Sequence, residues 1–102
     1  MRPINGVHKG DLRLSGDLTL SGQVRGTVWV VSGTKFECRG QVVGDVVVEH
    51  GGTAVVRGMV VGKILNAGGT VDVFGMAAAV NDSENAKTIV HPGAIITGNQ
   101  RG

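Results

Sequence analysis

Aromatic residues are almost missing from this chain: there is one tryptophan, two phenylalanines and no tyrosine. A nucleic-acid surface would need aromatic platforms interleaved with a basic stripe. Neither is present, because ten Lys and Arg stand against eight Asp and Glu, a formal charge of +2 with no run of either sign. The single cysteine, Cys38, has no internal partner for a disulfide, which favours a reducing compartment. No run approaches the roughly 18 apolar residues of a membrane-spanning helix, and the N-terminal Met-Arg-Pro-Ile-Asn-Gly has no apolar signal core. A cytoplasmic location is therefore expected, with no transmembrane segment and nothing to support peripheral membrane association. No stretch shows the 3.6-residue period of an amphipathic helix.

What is abundant is glycine, 18 of 102 residues, together with valine, whose branched side chain favours strands. One domain of this length supplies a conventional core of only marginal stability, and a repeating core is one way round that limit. The repeat is visible. Gly40-Gln-Val-Val-Gly44 is preceded 18 residues earlier by Gly22-Gln-Val-Arg-Gly26 and followed 18 later by Gly58-Met-Val-Val-Gly62. Weaker copies begin at Gly6, at Gly75 and, 23 residues further on, at Gly98.

Overlaying the units places apolar residues in columns: Val24, Val42, Val60 and Ala77; Val28, Val46 and Ile64; Val30 and Val48; Phe36, Ala54 and Val71; Cys38, Val56 and Val73. In the first unit Leu12, Leu14, Leu18 and Leu20 fall under Val28, Val30, Phe36 and Cys38. Each unit offers three short period-two strands that cannot bury their own apolar side chains. Stacked at roughly 4.8 Å, successive units bury each column against itself. The expectation is an all-β, single-domain β-solenoid with a triangular coil, five to six coils of 16–18 residues over 6–98. Within it, 81–87 (Asn-Asp-Ser-Glu-Asn-Ala-Lys) forms a surface loop and 98–102 a terminal cap. Corner glycines are expected where φ turns positive, and Asn66, in the inward column of Val48, reads as a hydrogen-bonding turn residue. After the loop, Thr88 to Gly98 echoes Val47 to Gly58, which places His50 and His91 alike, just before a glycine corner.

Catalytic chemistry finds little support. His8, His50 and His91 read as turn residues, with His50 and His91 two units apart. The Gly-x-x-x-Gly frames lack the Gly-Lys-Ser/Thr ending of a phosphate loop. Cys38 lies in an inward column, and Asp11, Asp17 and Asp45 follow corner glycines as corner hydrogen-bonding groups. Glu37 and Asp72 share an outward column with Val55 between. Valine or phenylalanine does recur every six residues from Val24 to Val48, as in hexapeptide acyltransferases, but inward steps of 4, 2, 6, 2 and 4 match that three-equal-face pattern poorly. No catalytic, cofactor or metal residue is assigned, and the chain is expected not to be an enzyme.

The outward positions carry more information, since a solenoid surface should be polar unless something covers it. Trp29, Val47 and Leu65 form one apolar column. Val43, Val61 and Ala78 follow Arg25 in another, extended by Met59 and Met76. The terminal coils present unpaired strand edges that invite continuation of the stack, which adds Ile96 to the candidate assembly residues.

The glycine frames Gly22/Gly26, Gly40/Gly44 and Gly58/Gly62, with alternating Val or Ile between them at 17 to 18 residues per turn, resemble the bactofilins, polymer-forming bacterial cytoskeletal proteins, over roughly Gly6 to Gly98. The resemblance implies a right-handed triangular β-helix that joins end to end into nonpolar filaments without nucleotide and acts as a scaffold, with no catalytic residue. The partner is then another copy of the chain. The alternative is a small non-catalytic adaptor or immunity-type module that binds another protein through its apolar faces.

Overall fold

The computed structural model describes residues 2–4, 6–83 and 86–97, with side chains from residue 6 onward. It is a β-solenoid of about five turns in which parallel strands stack in three rows, and no helix occurs among the described residues. Row one holds β1 (Arg2–Ile4), β4 (Leu18–Leu20), β7 (Lys35–Cys38), β10 (Thr53–Val56), β12 (Thr70–Val73) and β14 (Lys87–Val90). Row two holds β2 (Val7–Lys9), β5 (Gln23–Arg25), β8 (Gln41–Val42), the first halves of β11 (Met59–Ala67) and β13 (Met76–Asp82), and β15 (Ile95–Ile96). Row three holds β3 (Leu12–Arg13), β6 (Val28–Val30), β9 (Val46–Glu49) and the second halves of β11 and β13. These two long strands run round the corner between rows two and three, with a register shift between Val60 and Lys63.

Alternation decides which side chains enter the core. In β6, Val28 and Val30 are fully buried and Trp29 between them is not; in β10, Ala54 and Val56 are buried and Val55 is not. Every expected inward column is realised in register, for example Val24 with Val42, Val42 with Val60 and Val60 with Ala77. Asn66 stands above Val48, 2% exposed. Its carboxamide oxygen accepts from the Gly69 N–H at 2.8 Å, and its nitrogen donates to the Lys87 carbonyl at 3.0 Å and the Thr88 hydroxyl at 2.9 Å. A buried amide is tolerated because its groups are paired.

The frame glycines are required for a reason other than the expected one. Positive φ occurs at Gly10, Gly33, Gly51, Gly68 and Gly93, none of them a glycine of the three central frames. A Cβ on Gly40 would instead run into the carbonyl oxygen of Gly22, one on Gly58 into that of Gly40, and one on Gly75 into that of Gly58. The corner backbones stack in direct contact, with Met59 N–H donating to the Gly40 carbonyl at 2.9 Å and Met76 N–H to that of Gly58 at 2.9 Å. At other corners, aspartates serve the coil above: Asp11, Asp17 and Asp45 accept the backbone N–H of Thr27, Lys35 and Lys63 at 2.9, 2.9 and 2.8 Å.

The ends differ from the expected boundaries. The stack begins before the first glycine frame, because β1 pairs with β4 from Arg2. The expected loop at 81–87 is shorter: Asn81 and Asp82 pair with Leu65 and Asn66, and β14 resumes at Lys87. Strand pairing persists there because Leu65 and Asn66 offer a free edge below. The residue above Gly75 is Ala94, whose neighbour Ile95 donates to the Gly75 carbonyl, so Gly98 does not continue the frame. That corner is widened into a turn, His91-Pro92-Gly93-Ala94, closed by Ala94 N–H to the His91 carbonyl at 3.0 Å, with Gly93 at φ 92°; proline then glycine at its centre suits a type II turn. Residues 98–102, expected as a cap, lie outside the described residues. Thr88 to Val90 stack on Val71 to Val73 in row one, not on the row of Val47. The expected equivalence of His50 and His91 therefore fails: they occupy different corners.

Gly58→Ala is expected to cost about 3 kcal/mol or more, a fall of roughly 12 °C in melting temperature. Gly16→Ala, with nothing within 4 Å of the added carbon, should stay within about 0.5 kcal/mol of wild type. Equal melting of the two variants would refute the steric role of the corner.

Candidate functional site

On row three the outward residues of successive coils are Arg13, Trp29, Val47, Leu65 and Asn81, in register. Trp29, Val47 and Leu65 are half-buried against one another. The Arg13 guanidinium, two coils below Glu49, reaches its carboxylate at 3.4 Å past the Trp29 level.

Row two carries the second expected stripe. Val43 is exposed beyond Val42, and Val61, beyond Val60, is 46% exposed. Met59 and Met76 lie beside this stripe in their own outward column, which runs from Val7 through Gln23, Gln41, Met59 and Met76 to Ile95. Gln23 and Gln41 are joined at 2.7 Å. Beyond the exposed Val7 of the first coil, the face changes from polar at Gln23 and Gln41 to apolar at Met59, Met76 and Ile95.

Ile96 has a different position from the other candidates. It sits inward above Ala77 and completes the core column of Val24, as Val90 completes that of Cys38 and Val80 that of Val28. Val80 and Ile96 are packed against the core but only partly buried, and Val90 is 40% exposed. Among the described residues no strand pairs with the outer edge of β14 or β15. Three core columns therefore end in apolar side chains at the C-terminal end of the stack.

One cluster was not foreseen from the sequence. Phe74 occupies the corner position of Arg39 and Arg57 in the coils below. Its ring stacks on His91, centroids 4.0 Å apart and planes 7° from parallel, while the Arg57 guanidinium lies 4.7 Å from its centroid on the row-one corner. Arg39 and Arg57 donate to Glu37 at 3.3 and 3.1 Å, and the Arg39 hydrogen bond, with Arg57, holds the Glu37 carboxyl below its ordinary range. His91 Nε2 lies 3.1 Å from Asp72. Only the 17-residue step from Arg57 to Phe74 could have revealed this, since it puts an aromatic ring where the repeat has arginine. The arginine–Glu37 pairs are exposed and each contributes little to stability.

Among the described residues no three His, Cys, Asp or Glu side chains gather as a metal site. Cys38 is buried, desolvation pushes its thiol up to about 11, and the thiol donates to the Gly40 carbonyl at 3.6 Å. The arrangement defines a solenoid of stacked coils whose distinctive surfaces are two apolar faces and, among the described residues, a C-terminal end where three core columns finish in apolar side chains. No protein-family model, curated protein or solved structure matches the chain.

A thiol at about 11 rather than 9.0 carries roughly a hundredfold less thiolate at pH 8. Alkylation of Cys38 in native protein at pH 8 should therefore be at least about a hundredfold slower than in denaturant, the deficit shrinking as pH rises toward 11. Equal native and denatured rates would contradict the burial.

Proposed function

We propose that this protein is a structural element that associates with itself by stacking solenoids end to end, without nucleotide, in the manner of the bactofilins it resembles. The observation that carries this reading is the C-terminal end: Val80, Val90 and Ile96 close three core columns beside strand edges that no strand among the described residues pairs. A partner must present both strand edges and apolar columns at the same spacing, and another end of the same solenoid does so. Backbone hydrogen bonding then supplies register and the columns supply the hydrophobic contribution. A scaffold role follows, with the side faces left free to hold other proteins.

Sedimentation and light scattering across a concentration series test it. Wild-type protein should form species heavier than the 10.5 kDa chain, and Ile96→Lys should abolish them while its melting transition persists. A lone monomer at every concentration would refute self-association.

The row-three column favours a second reading, in which the chain is a non-catalytic binding module. Trp29, Val47 and Leu65 then form the contact for a protein partner. Capture of that partner should be lost in Trp29→Asp with the fold intact, and undiminished capture would exclude this face.

A further inference from the structure

Row two is ordered lengthwise, along the stack, in a way that the Trp29 column is not. The residues that follow its buried column are, from the first coil upward, Lys9, Arg25, Val43, Val61 and Ala78, two cations and then three apolar groups. Lys9 and Arg25 are exposed, and Val43 and Val61 are 37% and 46% exposed. Four of the seven exposed large apolar side chains, Val7, Val43, Val61 and Ile95, lie on this row, whereas Trp29, Val47 and Leu65 are half-buried. No Asp or Glu occurs in the row-two segments. Among the described residues no ion pair engages Lys9 or Arg25. Every described carboxylate, by contrast, already has a partner on this chain.

These facts select the occupant. A second copy brings no uncommitted carboxylate to Lys9 and Arg25, so two such faces laid together leave the cations unmatched. A nucleic acid carries charge at every step and would set phosphates against Val61 and Met76. An anionic bilayer keeps its charges in one plane above the hydrocarbon, which suits cations spread round an apolar centre, not cations gathered at one end. A protein segment lying along the stack can carry the complementary order, carboxylates first and apolar side chains after. The six strands of this row lie across that direction and pair with one another, so the face offers the segment no strand edge along its length. A helix needs none, because it satisfies its own backbone. Five strand spacings of roughly 4.8 Å give about 24 Å, the length of about 16 helical residues.

We infer that row two is a docking face for a helix of another protein, acidic where it lies over Lys9 and Arg25 and apolar where it crosses Val43, Val61, Met59 and Met76. The face is distinct from the Trp29 column, and the inference holds whether or not copies of the chain stack.

Fluorescence anisotropy of the full chain tests it, with a labelled helical peptide of about 16 residues that has glutamates in the turn at one end and a leucine stripe along the rest. Wild type should bind the peptide, less tightly as salt rises. Arg25→Glu should weaken binding about fivefold or more, and a peptide with lysine in place of glutamate should bind Arg25→Glu better than it binds wild type. Val61→Asp should also weaken binding of the glutamate peptide, and Trp29→Asp should leave it unchanged, with melting curves confirming that each variant is folded. The charge-swapped pair carries the test even if Val61→Asp does not fold. Vesicles of phosphatidylglycerol are the second probe. Failure of wild type to bind the peptide, equal binding of the glutamate and lysine peptides, or a loss confined to Trp29→Asp would overturn the inference. Binding to the vesicles without binding to the peptide would assign the face to a bilayer and overturn it likewise.

Discussion

Everything in this molecule depends on backbones stacking at their corners without a side chain between them. Parallel strands can hydrogen-bond from coil to coil only if each corner returns to the same position one strand spacing higher. At the corner of Gly22, Gly40, Gly58 and Gly75 the carbonyl of one coil occupies the place where the next coil would carry its Cβ. That contact holds the rows in register, and the register makes the columns. Val24 packs on Val42 and Phe36 on Ala54 because the corners keep successive coils aligned. The hydrophobic contribution of the core is thus available only through a constraint on the backbone.

Polar groups complete the coils where turning leaves backbone N–H groups without a strand partner. The corner aspartates each serve the coil above, and Asn66 ties the third full coil to the next through Lys87 and Thr88. These groups are held in coil-to-coil hydrogen bonds. The surface chemistry left over lies on the flat faces, where Trp29, Val43 and Val61 stand, and at the two ends. A stack of identical hydrogen-bonding units has no internal reason to stop, so its terminal coils decide whether it grows. Val90 and Ile96 close core columns in the C-terminal coil, and Leu12, Leu14 and His8 close them in the N-terminal coil.

Much of this was legible from spacing. A period of 16 to 18 residues defined by glycine pairs, with valines alternating between them, predicts parallel in-register columns, because only stacking can bury side chains that each unit leaves uncovered. Trp29, Val47 and Leu65 follow as outward neighbours from the same arithmetic. The reading failed where the period drifts. Beyond Gly75 the spacing points to Gly98, although the proline-glycine turn at 92–93 lets Ala94 take that corner. The apparent echo of Val47 to Gly58 in Thr88 to Gly98 then placed His91 on the wrong corner. Single-residue insertions shift every later column, and a sequence shows the shift only if the motif survives it.

The sequence by itself determined the solenoid, its columns and the residues that face outward, because these follow from a period and an alternation that hold along most of the chain. Only the tertiary structure decided why the frame glycines are glycines, since a steric clash with the coil below is a contact between residues 18 apart and leaves no mark on local conformation. It also decided that Phe74, Arg57 and His91 stack, and that Ile96, Val90 and Val80 finish core columns with no strand above them among the described residues. Whether an apolar residue is core or surface at the end of a stack depends on what lies above it, and no local pattern encodes that.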